Sequence, residues 1–599
     1  MSRTLITTAD ERTWPKDKKQ PVLFLGEWCR RYRRKEVWQQ LNAEVAAYHW
    51  DDRNKLIGDY QYLQNLYEKL LVDLSDKLNQ IHSTDHSPRY WRILIGPWLG
   101  YFIQMLFDRW FMLKQVIEQT EITECRVLER ELMKIVPNDM VHFTKLFVDD
   151  DWNEAVYGQL LELYWGDVVN IEKIRTHPVY NKHADNASLG VKAAFKRHVE
   201  RWVSLFNKLF PKDDSYFFIS SYLPLKTDFK LQMSLGQFPK LWRRQSAPVT
   251  KPDIQQRQWR LGDHKLKDAS FDVISRQLIP LHIPTAYLEG YEELVTTADL
   301  LDWPKKPKTI FTSNAYSSDD LFKSWAAEKT ESGTTLVIGQ HGGHFGMTPF
   351  SFSEEHQINI ADKWLSWGWA DKKRPQITPV GCLKAFGRSV GYDPNGRALM
   401  VEMILPRYSY DLLALPVSRQ WLDYLDDQQK FLKTLPYELR EQVLLRLYPN
   451  DYGWDETVRW KDKMPEVQID PGNQNIRKLI KKCRIYISTY NATTYLESLS
   501  WNVPTIIFWN PENWELKEEV KPYFELLKSV GIFHETPESA AQQMIKVWSD
   551  VASWWESDDL QIARKQFCHQ FARMSDDPVS CLQGLFKDIS NGHDSNVSK

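Results

Sequence analysis

One stretch of the sequence places hydroxyl, amide and carboxylate side chains where a buried strand ends and a helix begins. Residues 485–509, IYISTYNATTYLESLSWNVPTIIFW, have the pattern of a strand, a polar loop, a helix and a second strand. Backbone N–H groups at a helix start suit a phosphate, and Glu497, one turn inside, can accept hydrogen bonds from ribose hydroxyls. The residues predicted to hold the phosphate are Ser488, Thr489, Asn491, Thr493 and Thr494. The alternative is that Asn491 or Thr493 only caps the helix. The order of the elements favours nucleotide binding.

A second polar segment, IGQHGGHFG at residues 338–346, follows an apolar strand of a β-α-β unit at residues 309–340. The predicted ligand-binding residues here are Gln340, Gly342, Gly343 and His344. His341 is a predicted catalytic base, because an imidazole titrates near neutral pH and can take a proton from an acceptor hydroxyl. The segment holds no third metal ligand at a suitable spacing, so we predict a site without metal. The alternative is a tight glycine turn whose histidines bind neighbouring backbone.

Two carboxylates are further catalytic candidates. Glu27 follows the apolar run at residues 21–25 and can act as a base toward an acceptor hydroxyl. It can equally pair with Arg30 or Arg31. Asp228 is a candidate nucleophile for a covalent mechanism, with a solvated loop carboxylate as the alternative. The identity of the catalytic group therefore stays open at this point.

The composition excludes several classes of protein. The 599 residues contain 77 Lys and Arg against 79 Asp and Glu, a net charge of −2, so no overall positive field attracts nucleic acid. The most apolar stretch, residues 93–113, is interrupted by charges, and no apolar leader opens the chain, so we expect a soluble, cytoplasmic protein. Six cysteines without a CxxC pair indicate reduced thiols. The basic runs at residues 30–35 and 240–244 offer peripheral contact with a membrane surface or lipid-linked phosphate, with solvated faces as the alternative.

The alternation of strands and helices predicts an α/β fold of two doubly wound domains that face a cleft. The first domain spans residues 20–380, with a helical block of about 35–210 inserted into it. A Pro- and Gly-rich linker at 372–396 leads to a second, nucleotide-binding domain at 396–588. We expect the chain after Asp588 to fray.

The segment at residues 485–509 resembles the C-terminal domain of GT-B glycosyltransferases, in which a helix start holds the donor phosphate and a Glu follows for the ribose. The chain from about 20 to 580 resembles transferases of similar length encoded among O-antigen and surface-polysaccharide genes. The segments that carry this likeness are LFLGEWCRRY at 23–32, YHWDDRNKL at 48–56, SPRYWRILIGPWL at 87–99, IGQHGGHFG at 338–346 and STYNATTYLES at 488–498. The resemblance implies a metal-independent GT-B glycosyltransferase without a cofactor. Its partners would be a nucleotide-sugar donor and a surface polysaccharide or lipid-linked glycan acceptor.

A more distant likeness concerns the donor. Residues 446–449, Arg-Leu-Tyr-Pro, stand where bacterial sialyl- and Kdo-type transferases carry a His-Pro pair that contacts a CMP donor. Tyr448 replaces that His here. The likeness implies that Tyr448 and Pro449 line the nucleotide pocket, and it suggests a nonulosonic acid carried on CMP as one donor.

Two other functions fit the same residues. A nucleotide-sugar epimerase or hydrolase on this fold would need no groove for a second glycan. A non-catalytic scaffold of a polysaccharide assembly complex would use the helical block as its partner surface. Polar residues predicted on both walls of the cleft favour a transferase, although the fold alone does not choose the reaction.

Overall fold

The structure is a computed structural model that describes residues 2–175, 213–262 and 270–597. Its strands form three parallel sheets. Within these residues no helix is both long enough and apolar enough to cross a membrane. The strands are β1 Arg3–Ile6, β2 Val22–Phe24, β3 Ala43–Val45, β4 Ile122–Leu128, β5 Asn170–Ile174, β6 Tyr216–Ile219, β7 Thr309–Thr312, β8 Thr335–Gly339, β9 Lys363–Ser366, β10 Ile377–Pro379, β11 Arg397–Val401, β12 Val443–Arg446, β13 Gln468–Asp470, β14 Cys483–Ser488, β15 Thr505–Phe508 and β16 Phe533–His534.

Helices cover the sheets and connect their strands. They are α1 Lys35–Trp38, α2 Arg53–His82, α3 Pro88–Gln119, α4 Met140–Leu146, α5 Asp150–Tyr164, α6 Leu225–Ser234, α7 Phe271–His282, α8 Tyr291–Leu300, α9 Ala315–Ser318, α10 Asp320–Glu331, α11 Phe352–Ile360, α12 Gln420–Thr434, α13 Tyr437–Arg440, α14 Glu456–Lys463, α15 Ile476–Ile480, α16 Thr493–Ser500, α17 Lys521–Ser529, α18 Pro537–Val547, α19 Val551–Trp555, α20 Asp558–Phe571 and α21 Pro578–Val597.

The first sheet has the strand order β3-β2-β1-β4-β5. Its central strand β1 precedes the predicted start of the first domain at residue 20. The sequence conceals this strand because threonine counts as polar, yet Thr4, Thr7 and Thr8 are all buried. A β-branched side chain is well suited to a strand. The fold therefore begins at the third residue.

The predicted helical insertion at 35–210 is only partly helical. It contributes β3, β4 and β5, which join β1 and β2 in the first sheet. The block is therefore part of a separate sheet and is not an insertion into the second one. The long helices α2 and α3 supply most of its core. The end of the predicted block, residues 176–210, lies outside the described residues.

The most apolar stretch of the sequence lies in α3 and is buried inside the molecule. Ser87 caps this helix by accepting a hydrogen bond from the Tyr90 N–H, and Pro88 occupies the first turn, where no amide partner is needed. Helix α3 packs against α2 on one side and against α10 and α11 on the other. It thereby joins the first sheet to the second.

The second sheet has the sequential order β10-β9-β8-β7-β6. The predicted single domain of residues 20–380 thus contains two sheets. Strand β10 lies inside the predicted linker at 372–396, and its Pro379 is tolerated because β10 is an edge strand. The connection to the third sheet is therefore shorter than the composition suggests.

The last helix, α21, crosses back from the third sheet to the second. The Phe586 ring lies 5.0 Å from the ring centroid of Phe218 and 5.3 Å from that of Phe311. Leu582 belongs to the same buried cluster. The helix continues to Val597, so the chain does not fray after Asp588 as the sequence predicts. It ties the second and third sheets together.

The third sheet has the order β13-β12-β11-β14-β15-β16, which reverses between β11 and β14. In such sheets ligands bind at the carboxyl ends of the strands beside the point of reversal. The predicted α/β class with parallel sheets is confirmed. The described residues form three parallel sheets, where the sequence analysis predicts two doubly wound domains.

Candidate active site between the second and third sheets

The loop after β8 contacts the start of α16, so the carboxyl ends of two sheets meet there. A Cβ atom on Gly343 would lie 2.4 Å from the carbonyl carbon and oxygen of Ala492 and 2.7 Å from the Thr493 nitrogen. Only glycine permits this approach. The structure therefore brings together the two segments from which the sequence analysis builds the site.

The start of α16 has no cap. Ala492 occupies the N-cap position, and no side chain there accepts a backbone N–H. The interpretation of Asn491 or Thr493 as a simple helix cap is therefore wrong. Thr493 and Thr494 are half-buried, and the Thr494 hydroxyl lies 3.4 Å from the Tyr490 hydroxyl. Unpaired N–H groups with adjacent hydroxyls are suited to an anion.

Ser488 and Thr489 are used within the protein. The Thr489 hydroxyl donates to the Val401 carbonyl over 2.9 Å and shares a 2.6 Å hydrogen bond with the Tyr424 hydroxyl. The Ser488 hydroxyl donates to the Tyr490 carbonyl over 3.2 Å. Both residues are buried. They hold the ends of β11 and β14 in place, and their hydroxyls are not directed to a ligand.

Gln340 is likewise engaged inside the fold. Its Nε2 donates to the Gly342 carbonyl over 2.8 Å. Its Oε1 accepts from the Trp367 N–H at 2.8 Å and from the Trp369 indole N–H at 3.0 Å. Gln340 therefore sets the course of the glycine loop.

His341 and His344 are neutral at physiological pH. Burial, followed by the nearby charge of Lys384, lowers the pKa of His341 to about 4. Burial, followed by the effect of His341, lowers the pKa of His344 to about 3. The buried Nδ1 of His341 has no hydrogen-bond partner in the part of the chain that the structure describes. The His341 ring lies between Tyr222 and Tyr316, at 6.0 and 6.2 Å between ring centroids.

Two further buried polar atoms at this junction lack partners. Asn491 accepts the Tyr495 hydroxyl on its Oδ1 at 2.9 Å, while its Nδ2 donates to nothing. The Glu497 Oε1 is also without a partner. Burial raises the pKa of Glu497, against the attraction of Lys384, Arg477 and Arg388. Buried polar groups are almost always satisfied, so these atoms mark a place for a ligand or water.

The cations around Glu497 are residues that the sequence analysis misses. The Lys384 ammonium lies 5.5 Å from the centroid of the Tyr222 ring and influences both His341 and Glu497. Arg388 donates only to the Lys384 carbonyl, at 3.3 Å, within the described residues. The Arg477 Nε is buried without a partner. A groove of about 400 Å³ beside them is lined by Gly387, Arg388, Ser389, Val390, Arg477, Lys478 and Lys481.

The sequence contains a signal for Lys384 and Arg388, in the segment that its composition predicts to be a linker. The segment GCLKAFGR carries Lys384 between its two glycines and Arg388 directly after the second, and it follows the edge strand of the second sheet. A basic glycine-rich loop at the carboxyl end of a strand is a candidate anion site. Once β10 is recognised as a strand, the loop that follows it becomes a candidate anion site.

Glu27 and Asp228 do not present a free carboxylate. Arg30 donates to both oxygens of Glu27, one at 3.0 Å, and the charge of Glu27 acts on Arg419 and Arg459 of the third sheet. Asp228 accepts from Ser221, Oγ to Oδ2, at 2.6 Å and from the Gln232 amide at 2.7 Å. Burial raises the pKa of Asp228, and these bonds oppose the change. The fold thus uses both carboxylates as structural acceptors.

Tyr448 and Pro449 follow β12, two strands from the end of β14. Tyr448 is 47% exposed and lies parallel to Tyr452, with 6.5 Å between ring centroids. Pro449 is close to Gly472. Nothing in these contacts directs either side chain toward a ligand, and their role in a nucleotide pocket stays a prediction.

The basic run at residues 30–35 is neutralised within the protein. Its ion pairs are Arg30 with Glu27, Arg31 and Arg33 with Asp455, Arg34 with Glu11, and Lys35 with Asp462. In the second run, Lys240 is buried and Arg244 donates to Ser318. These contacts favour the interpretation of both runs as structural.

The fold and the site together define an α/β protein in which the loops of two parallel sheets meet at a helix start without a side-chain cap. A family model described as LIC12162 family transferase matches residues 3–586. The chain therefore belongs to this family of transferases. No curated protein matches it. Among solved structures it is similar to one described as LpCGTa in complex with UDP, at 13% identity over 78% of this chain and 99% of the other, with a TM-score of 0.31. In the described part of the chain, no group of three His, Cys, Asp or Glu residues is arranged to hold a metal ion.

Proposed function

We propose that the protein is a glycosyltransferase that moves a sugar from a nucleotide-sugar donor to a surface polysaccharide or lipid-linked glycan. The observation that carries this proposal is the junction of Gly343 with the uncapped start of α16. The unpartnered polar atoms of His341, Asn491 and Glu497 surround it. An anionic donor would satisfy all of these groups at once.

The donor phosphate would lie against the first turn of α16, with Lys384 on the side of the second sheet. As the bond between sugar and phosphate breaks, negative charge grows on the phosphate. A helix start and a fixed ammonium stabilise that charge without reorganisation. We propose that these groups serve the purpose for which other transferases employ a divalent cation.

The remaining groups suit the other parts of the donor. Glu497, one turn inside α16, would accept ribose hydroxyls, because its Oε1 has no partner. His341, neutral and with a free Nδ1, would hydrogen-bond the donor near the reacting carbon. A pKa of about 4 makes it a weak base. Cytidine recognition by Tyr448 and Pro449 belongs to the proposal as its least constrained part.

A nucleotide screen tests the proposal. Thermal unfolding and calorimetry would be recorded with CMP, UDP, GDP and dTDP on the wild type, on Lys384→Met and on Lys433→Met. Lys433 is an exposed lysine in the last turn of α12 and serves as the matched control. We expect one nucleotide to raise the melting temperature of the wild type and of Lys433→Met but not of Lys384→Met. Absence of binding by all four nucleotides would contradict the proposal.

A product assay then separates transfer from its rivals. The sugar-nucleotide of the best-binding base would be incubated with octyl glycosides as acceptors. A glycosylated octyl product supports transfer. Free sugar alone would indicate a hydrolase, and an isomerised donor would indicate an epimerase.

A further inference from the structure

The loop that follows β11 contains a carboxylate that is fixed in position but has no partner. The loop is anchored on both sides of Asp411. Arg109 of α3 donates to the Ser409 carbonyl, and the Leu412 N–H donates to the Gln104 Oε1 over 2.6 Å. Leu413 pairs with Ser351 next to α11 in an isolated antiparallel bridge. The backbone around Asp411 is therefore held by both the first and the second sheet's helices.

The side chain of Asp411 takes no part in these contacts. Its Oδ1 is buried without a hydrogen-bond partner, and its carboxylate has no ion pair within the described residues. Burial raises the pKa of Asp411 to about 7. Asp411 is half-buried, and a buried carboxylate oxygen without a donor reduces stability, so the structural role that explains Asp228 does not explain this residue.

Four tyrosines lie within electrostatic reach of Asp411. They are Tyr60 of α2, Tyr101 of α3, Tyr316 of α9 and the neighbouring Tyr410. The charge of Asp411 adds to burial in raising the pKa of each of them. Glu354 and Glu355 also act on Tyr60.

Two tyrosines in this set pack against other aromatic rings, and the hydroxyl of a third has no hydrogen-bond partner within the described residues. Tyr410 stacks on Phe147 at 4.1 Å and meets Tyr101 at 5.5 Å. The Tyr60 hydroxyl is buried without a partner. The Tyr316 ring lies 6.2 Å from the His341 ring, so this group is continuous with the donor site.

We propose that Asp411 binds the acceptor hydroxyl and takes its proton during transfer, with the four tyrosines forming the acceptor subsite. This inference rests on the proposed function. The acceptor oxygen forms a bond to the anomeric carbon of the donor, and the bond from that carbon to the phosphate oxygen breaks. The nucleotide leaves with the electron pair, and the hydroxyl proton passes to Asp411. Aromatic faces with a few polar groups are the usual surroundings of a bound sugar-sized ligand.

A ligand-free measurement tests the state of the carboxylate. The folded protein holds the Asp411 proton more tightly than the unfolded chain, whose Asp titrates near pH 3.9. Ionisation of Asp411 therefore lowers stability as pH rises from about 4 to about 7. We expect Asp411→Asn to have a higher melting temperature than wild type at pH 8.5 and an equal one at pH 4. A lower melting temperature at pH 8.5 would show a structural acceptor and would overturn the inference.

Turnover tests the chemical role. With a sugar-nucleotide donor and octyl glycoside acceptors, we expect Asp411→Asn to lower kcat by roughly 10²–10⁴-fold while donor KM stays close to wild type. The wild-type kcat should rise with pH with a midpoint near 7, and the variant should lose that dependence. The control is Asp423→Asn, which alters a half-exposed carboxylate 3.8 Å from Arg419 and should behave like wild type.

The two proposals fail in different ways. If no nucleotide binds, the proposed function is wrong and this inference falls with it. If a nucleotide binds and Asp411→Asn transfers at the wild-type rate, the donor site stands and the acceptor assignment is overturned.

Discussion

The first and third sheets share one strand order around their first strand, but only one of them keeps its binding crevice open. In both sheets the order reverses beside that strand, between β1 and β4 and between β11 and β14. In the first sheet the protein fills the crevice itself. The Trp28 indole N–H donates to the Thr7 carbonyl at 2.9 Å, and Arg407 donates to the Trp28 carbonyl. Arg407 also pairs with Asp150 at 2.6 Å.

The third sheet leaves the equivalent place unfilled. The start of α16 is uncapped, and Asn491 and Glu497 keep polar atoms without partners. Both crevices contain arginine, carboxylate and tyrosine side chains that are half-buried or buried, so residue type does not separate structure from function here. The contacts at the strand ends separate them: Arg407 pairs with Asp150 beside the first sheet, whereas the helix start beside the third sheet has no side-chain cap.

The largest expected effect is a loss of stability on replacing Arg407, which fills the crevice of the first sheet. Arg407→Met leaves Asp150 without its guanidinium partner and the Tyr452 carbonyl without a donor. Removal of one member of a buried pair should lower the free energy of unfolding by about 3–5 kcal/mol, measured by chemical denaturation. Arg388→Met is the matched control, since Arg388 has no carboxylate partner in the described chain, and it should leave stability near wild type. Equal losses in both variants would remove the distinction between the crevices.

The open crevice should respond in activity instead. Lys384→Met removes the cation that faces both walls of the cleft, and we expect kcat/KM for transfer to fall by roughly 10²–10³-fold, as for loss of one charge-stabilising group. The melting temperature should stay close to wild type, because within the described residues the Lys384 ammonium makes a cation–π contact with Tyr222 and no hydrogen bond. Steady-state kinetics check the fall in kcat/KM, and thermal unfolding of the same preparation checks that the melting temperature is unchanged. A stability loss comparable to that of Arg407→Met would make Lys384 structural.

Local patterns predict the third sheet well, and the strand-loop-helix from β14 to α16 is where predicted. Each of its parts is set by neighbours in sequence: an apolar run, a polar loop and the first turn of a helix. Strand β1 is missed because its buried Thr4 disguises the strand pattern, and the first sheet is missed as a separate sheet because β3, β4 and β5 lie in the block predicted to be helical. The pairing of β10 with β9 is a contact across the fold that no local pattern contains.

Side-chain roles are harder to predict than positions. The strand end at Thr489 is found, but whether its hydroxyl faces a ligand or the Val401 carbonyl depends on how β11 packs. Asp411 belongs to no local motif, and the glycine-rich loop that contains Lys384 becomes a candidate site only once β10 is recognised as a strand. Their importance comes from what surrounds them in space and from which partners are absent, and neither is visible along the chain.

A smaller effect separates the two kinds of threonine at the donor site. Thr493→Val should weaken nucleotide binding by about 1.5–3 kcal/mol, the value of a hydrogen bond to a charged group. Thr489→Val makes the same change at a hydroxyl that is bonded within the protein, so it should lower stability by about 1–3 kcal/mol and leave nucleotide affinity nearly unchanged. Calorimetry and denaturation measure the two quantities. Equal affinity losses would assign both hydroxyls to the ligand.

The contact between the walls gives a matched pair of glycine substitutions. Gly343→Ala would place a Cβ 2.4 Å from the Ala492 backbone, whereas on Gly342 it would lie 3.2 Å from the movable His344 ring. Overpacking against backbone should lower stability by about 1–3 kcal/mol, and Gly342→Ala should lower it less. Thermal unfolding checks the order. If Gly342→Ala is the more harmful, the two walls are not in contact in solution as they are here.

The smallest effect is expected at Glu27, which the sequence analysis names as a candidate base. Glu27 follows a buried strand in the first sheet, as a base would, but Arg30 occupies both of its oxygens. Its side chain is 20% exposed, and such pairs contribute less than about 1 kcal/mol. We therefore expect Glu27→Gln to change stability by no more than that and to leave kcat/KM for transfer near wild type. A fall of roughly 10²-fold or more, the effect of a positioned base, would place the chemistry in the first sheet. It would also show that the filled crevice opens during the reaction, because Glu27 can accept a proton only after Arg30 releases it.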